Sequence, residues 1–134
     1  MPIVQFNVSG PTLSDTEVRG LLEEASGIYA KVLDCPLDRV RAFYLPHGFS
    51  HAAAHGKVTH ERVVFFEFIV LEGRSVAQRQ QLAQAFTEIV ARLLDVDTAL
   101  VRGRCVRVAP EDWCIGGRFA SDLRQAEIEA RKDS

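Results

Sequence analysis

The chain has 134 residues, 47% apolar and 25% charged, the profile of a single globular domain rather than a collagen-like, disordered or disulfide-scaffold chain. With 16 basic and 18 acidic residues the net charge is −2, which leaves no basic excess to hold nucleic acid or an anionic membrane surface. Ile3 to Val8 alternates apolar and polar side chains and predicts a strand, which Ser9-Gly10-Pro11-Thr12 breaks. Ser14-Asp15-Thr16-Glu17 is a capping-box signature, and Val18, Leu21, Leu22, Ala25, Ile28, Tyr29, Val32 and Leu33 follow it as one apolar stripe. Pro36 is expected to end that helix, and Val40 to Leu45 reads as a second strand. A loop rich in Gly, Ala and His follows, over 46–61. The apolar stretch Arg62 to Leu71 predicts a third strand. Ser75-Val76-Ala77-Gln78 repeats the capping logic ahead of a second stripe of Leu82, Phe86, Ile89, Val90, Leu93 and Leu94. Val101 to Val108 predicts a fourth strand, ended by Pro110, Trp113 and Gly116-Gly117. The tail, 122–134, is charged and helix-prone over Leu123 to Arg131, with a thin apolar face.

The two halves, about 2–45 and 62–121, match at a constant offset of 61. Ser14 falls on Ser75, Glu17 on Gln78, Leu21 on Leu82, Ile28 on Ile89, Asp34 on Asp95, and Val40-Arg41 on Val101-Arg102. A right-handed crossover makes the strands of each β-α-β unit parallel. Two such units predict an α+β fold, a four-stranded sheet with both helices on one face. The apolar run in 63–71 implies that the second face is buried as well, and the chain has no further layer to cover it, so oligomerisation is expected. Three cysteines without a CxxC pair (Cys35, Cys105, Cys114), no long apolar span and a Met-Pro start unlike a signal peptide predict a cytoplasmic protein without membrane association.

Three segments give the chain a family likeness. Met1-Pro2-Ile3-Val4 opens it; Glu72-Gly73-Arg74-Ser75 forms the second strand-to-helix turn; and Val101-Arg102 is followed eleven residues after the arginine by Trp113-Cys114-Ile115-Gly116-Gly117. Together with the repeat, these resemble the tautomerase superfamily, and in particular the Glu-Gly-Arg-Thr turn and Val-Arg … Phe-Gly-Ile-Gly-Gly ending of 4-oxalocrotonate tautomerases. The likeness spans about residues 2–121. It implies a tautomerase/MIF-like fold, a homotrimer for a two-unit chain, a small carboxylate substrate, no cofactor and no metal. It further implies that Pro2, freed by removal of Met1, is the catalytic base. Arg74 would bind the substrate carboxylate, and Arg102 would bind and polarise the reacting carbonyl, with Trp113, Cys114 and Ile115 lining the pocket. The chemistry itself is elementary. An N-terminal proline is a secondary amine titrating near 8, and burial beside cations lowers that value, so it can take a proton from carbon next to a carbonyl and return it elsewhere. Arg74 precedes a helix N-terminus, where free N–H groups also attract anions. Position 63, the repeat-mate of Pro2, is valine, so each chain is expected to carry one site.

The departures bear on substrate. Relative to the cis-3-chloroacrylate dehalogenase branch, Leu71 replaces an arginine and Ile115 a water-activating glutamate, which disfavours hydrolytic dehalogenation. Asp38-Arg39 and Asp112-Trp113 … Gly117-Arg118 resemble segments of malonate semialdehyde decarboxylases. A decarboxylase or hydratase of a small oxo acid, with Asp38 assisting, is therefore the alternative, and a non-catalytic trimeric binding protein on the same scaffold is another. His47, His51 and His55 are spaced by four, but Gly48 and Gly56 interrupt them and no carboxylate or thiolate closely accompanies them. A mobile loop, or a lid over the site, is expected there rather than a metal centre.

Overall fold

The computed structural model describes residues 2–132. Strand β1 (Ile3–Val8) leads to helix α1 (Asp15–Leu33) and back to β2 (Arg41–Pro46). A small hairpin, β3 (Ala53–Ala54) with β4 (Lys57–Val58), occupies the connecting loop. The second unit runs through β5 (Val64–Leu71), α2 (Val76–Leu94) and β6 (Val101–Val108). A second hairpin, β7 (Cys114–Ile115) with β8 (Arg118–Phe119), precedes the short helix α3 (Ala120–Leu123) and α4 (Gln125–Lys132). The sheet order is β2-β1-β5-β6, parallel within each unit and antiparallel across the β1–β5 seam, where Ile3 lies opposite Ile69 and Val8 opposite Val64.

Both helices start on complete capping boxes. Ser14 accepts from the Glu17 N–H and Ser75 from the Gln78 N–H, each at 3.1 Å, while the Glu17 and Gln78 side chains reach back to the cap N–H groups. The repeat extends to the helix ends. Asp34 and Asp95 both adopt the left-handed conformation (φ 50 and 53), and three-residue 3-10 turns follow at Leu37–Arg39 and Thr98–Leu100. The first helix thus stops at Leu33 by a left-handed cap, before the chain reaches Pro36.

Val4, Phe6 and Val8 on β1 and Val64, Phe66, Phe68 and Val70 on β5 bury themselves against α1 and α2 in one cluster with Leu21, Ala25, Tyr29, Leu82, Phe86 and Val90. Its centre is aromatic: the Phe86 ring meets Tyr29 at 5.3 Å and Phe68 at 5.2 Å, steeply tilted, as ring quadrupoles prefer. Tyr29, deep in this cluster, donates its hydroxyl to the Ile69 carbonyl, with the Ile3 carbonyl 3.3 Å away. Strand alternation turns the neighbours of these residues to the other face. There Phe43 and Phe65 are 50% and 41% exposed. They stand among Gln5, Asn7 and a 2.7 Å ion pair between Glu67 and Arg104. That face is a mixed surface rather than the continuous apolar one expected, and nothing among the described residues covers it. Among the described residues, no helix is long and apolar enough to cross a membrane.

Candidate active site

The antiparallel seam decides what meets Pro2. Because β1 starts where β5 ends, Pro2, itself fully buried, lies beside Val70, Leu71 and the turn that carries Arg74. These residues line a small cavity with Leu33, Cys35, Arg39, Arg124, Glu127 and Arg131, which has room for little more than a water molecule. Among the described residues, four of the lining side chains are arginines and Glu127 is the one carboxylate.

Arg74 is held from the α1 side: its Nη1 donates to the Leu33 carbonyl at 2.8 Å, at the helix end whose dipole favours a cation. Burial pulls the Arg74 pKa below its ordinary value, and the positive Arg131 nearby pulls in the same direction. A guanidinium made costly by burial gains from an anionic ligand. Arg39 closes the cavity opposite, its Nη1 and Nη2 each 2.9 Å from a Glu127 oxygen. The bidentate bond to Arg39 holds the Glu127 carboxyl below the usual carboxylate range and raises Arg39. Burial raises the Cys35 thiol, which keeps it in the protonated form.

Of the residues singled out by sequence, Pro2 and Arg74 come together. Arg102 does not join them within one chain. It pairs with Phe65, which lies opposite Asn7, so it sits about 16 Å along the strands from Pro2 at ~3.3 Å per residue. Its Nη1 caps the Ala99 and Val101 carbonyls at 2.8 and 3.1 Å. Its repeat-mate Arg41 makes the same two bonds, to Asp38 and Val40, and it is Arg41 that stands beside Pro2, donating its N–H to the Pro2 carbonyl at 2.9 Å. Asp38 is exposed in the 3-10 turn and does not line the cavity; its neighbour Arg39 does. Trp113, Cys114 and Ile115 belong to the β7 hairpin region and also lie outside the lining.

The histidine loop is at the far end too. Ala53, Ala54 and His55 border Arg102, Val63 and Leu100, so in its own chain the loop is no lid for Pro2. His47 bonds the Asn7 side chain at 2.9 Å and His60 stacks on Phe49, and among the described residues no group of three or more metal-ligating side chains gathers. Sequence reasoning missed Arg124, Glu127 and Arg131. Their spacing of three and four residues along a helix-prone segment puts charged side chains on one face, and that was the available signal.

The repeat supplies an internal comparison. At the offset of 61, Pro2 corresponds to Val63, Cys35 to Val96, Arg39 to Leu100 and Arg74 to Leu13. Every polar or chemically competent group of the first set is aliphatic in the second, and Leu13 and Val96 are buried there. The scaffold therefore folds without these arginines, and their burden is confined to the end of the sheet that holds Pro2.

Comparison with solved structures gives the class of fold. The chain superposes on Pt0534 inactivated by 2-oxo-3-pentynoate with a TM-score of 0.84 and 22% identity, over 90% of this chain and 98% of that one. It also superposes on a fused 4-OT wild-type symmetric trimer (TM-score 0.83, 19% identity, 90% and 98% covered). The macrophage migration inhibitory factor of Toxoplasma gondii follows at a TM-score of 0.72 and 20% identity, over 86% and 98%. The protein has the fold of fused 4-OT and MIF-like structures. No protein-family model matches the sequence, and no curated protein matches it.

Proposed function

We propose that the protein is a fused member of the tautomerase superfamily, a cofactor-independent keto-enol isomerase of a small 2-oxo or 2-hydroxy-enoate carboxylate. The observation that carries this reading is the burial of Pro2 in a cavity ringed by arginines, with no counterpart in the repeat-mate positions. Once Met1 is removed, the Pro2 nitrogen is a secondary amine whose charged form is penalised by burial and by neighbouring cations, so it is neutral and basic near pH 7. It takes a proton from the enol or from carbon beside the carbonyl, and returns it to the other end of the conjugated system. Arg74 holds the carboxylate, and a guanidinium neighbour bears the charge that builds on the enolate oxygen. Arg102 reaches such a site only from a neighbouring copy. The trimeric state named for a fused 4-OT relative, and the exposed Phe43, Leu45 and Phe65, support an assembly of three chains. Asp38, outside the cavity, gives a decarboxylase or hydratase reading no acid near Pro2. Three free thiols fit a reducing compartment, and we assign the protein to the cytoplasm.

Intact-mass measurement must find Met1 absent; a retained Met1 makes Pro2 an amide and removes every mechanism built on its basicity. Ketonisation of phenylenolpyruvate and 2-hydroxymuconate is then compared in wild type and Pro2→Ala. A fall in kcat/KM of about 10²–10⁴ is expected for loss of a positioned base, and unchanged turnover refutes the role. Labelling with 2-oxo-3-pentynoate tests the amine directly. A neutral nitrogen adds to its alkyne carbon and the proton passes to the adjacent carbon, so the adduct carries the whole reagent on Pro2. A trimeric binding protein without catalysis shows neither turnover nor adduct.

A further inference from the structure

Among the described residues that line the Pro2 cavity, three come from the segment beyond the second repeat: Arg124, Glu127 and Arg131. Helix α4 is tied down there by the two 2.9 Å bonds between Glu127 and Arg39. A planar fork of this kind is how a guanidinium binds any carboxylate, including one on a ligand. Glu127 thus holds the place on Arg39 that a substrate carboxylate would take, and with α4 docked the cavity is too small for an organic acid.

A second observation points to a ligand. The Nε of Arg124 is buried and, among the described residues, has no hydrogen-bond partner; its Nη1 makes a long 3.4 Å contact to the Leu123 carbonyl. Buried donors are ordinarily satisfied, because leaving one unmade is costly. Arg124 lies between α3 and α4, so it can remain at the cavity while α4 swings away.

We propose that Glu127 is a resident internal carboxylate which the substrate's own carboxylate displaces from Arg39, and that Arg124 is the second, tail-supplied arginine that holds the incoming anion. Helix α4 then acts as a lid opened by its own substrate class, and the site discriminates for small anionic acids strong enough as ligands to compete with Glu127. Repeat symmetry agrees: the mate of Arg39 is Leu100, and the first unit is followed by a loop that ends at the other side of the sheet. The inference rests on the proposed function only in taking the Pro2 cavity as the substrate site.

The test uses fumarate, an unreactive dicarboxylate, with the full-length protein. Calorimetric titration is run on wild type, Glu127→Gln and Arg124→Gln, and hydrogen exchange is followed in residues 125–132. Removing the internal competitor in Glu127→Gln is expected to tighten fumarate binding about two- to fivefold, the worth of a partly exposed ion pair. Arg124→Gln is expected to weaken it about tenfold, as loss of a charge-assisted bond does, while leaving α4 exchange without ligand unchanged. Fumarate is expected to speed α4 exchange in wild type. Tighter binding on losing a native ion pair is opposite to the effect of structural damage, so a misfolded variant cannot imitate it. Equal or weaker binding by Glu127→Gln, unaltered α4 exchange with fumarate, or no fumarate binding by any variant overturns the proposal. Fumarate undergoes no ketonisation, so its binding reports carboxylate displacement alone, and a failure of the proton-shuttle role, read from ketonisation, is distinguished from it.

Discussion

Gly103 is the position where one methyl group should do most harm. It lies opposite Phe66 across the β5–β6 ladder, and a Cβ built on it would stand 2.1, 2.2 and 2.5 Å from three atoms of the Phe66 ring. Carbon atoms pack best at about 3.5–4.0 Å, so the ring would have to retreat by roughly 1.5 Å. It has nowhere to go. Phe66 is 1% exposed and meets Phe6, Phe68 and Phe86 at 6.2, 6.2 and 5.8 Å. Overpacking of a closed core costs about 1–3 kcal/mol, and this site belongs near the upper end. Against that, replacing glycine inside a regular element recovers roughly 0.5–1 kcal/mol of backbone entropy. The net for Gly103→Ala is a loss of about 2 kcal/mol. At ~2.1 cal/mol/K per residue over this 134-residue chain, the unfolding entropy is about 280 cal/mol/K, so the melting temperature should fall by about 7 °C. Scanning calorimetry at fixed protein concentration measures it, and Gly103→Ala combined with Phe66→Leu should recover part of the loss through coupling. A Gly103→Ala protein as stable as wild type would refute the packing argument.

Two pH effects follow from groups outside that contact. Burial raises the Tyr29 phenol far above its ordinary value, chiefly by desolvation, so the folded state favours the neutral form. Its contribution to stability is whole below about pH 10 and is lost as pH rises beyond it, so absorbance titration should show Tyr29 ionising only with alkaline unfolding. Glu127 shifts the other way. Its carboxyl is lowered by Arg39, so the pair's contribution is present above the free carboxylate value of about 4.3 and is lost as pH falls through the lower folded one. Both side chains are partly exposed, which limits the effect to at most about 1 kcal/mol. The NMR signals of α4 should therefore move toward coil positions only under acid conditions below about pH 4, while those of β1 and β5 stay in place.

Much of the architecture was legible because local signals repeat. Ser14 and Ser75 each announce a helix with a partner three residues on, and both capping boxes form. Val101 to Val108 is predicted as a strand and is one over those same residues. The first helix end was harder. Pro36 is the visible breaker, yet the chain turns at Asp34 by a left-handed residue, a conformation that aspartate tolerates but does not advertise. The relation between the two units was not legible at all. Periodicity gives the strands of each unit, and the crossover rule makes them parallel, but neither says that β1 and β5 run opposite ways.

That single relation decides which residues can serve Pro2. With β1 antiparallel to β5, the first unit leaves the sheet at Pro46, level with Val8, while the second leaves it at Val108, level with Leu71. Pro2 is at the Leu71 end. The loop after the first unit, with its histidines, is therefore delivered to the end that holds Arg102. The segment after the second unit is delivered to the end that holds Pro2. Besides the turns that carry Arg39 and Arg74, a covering element for the amine comes from beyond residue 108 in the same chain, or from another copy. The tail of this protein meets that requirement, and its charges match it: Arg124, Glu127 and Arg131 reach the cavity where Arg39 and Arg74 already stand. In the other half, the equivalent positions are Leu100 and Leu13, and no tail arrives to meet them. Joining two units in one chain thus breaks their equivalence twice, once in the residues at the strand ends and once in which end receives the extra helix. Both asymmetries favour the same end of the sheet. A tail kept only for stability would have no reason to bring an arginine whose buried Nε lacks a partner among the described residues to the one place where an anion is wanted.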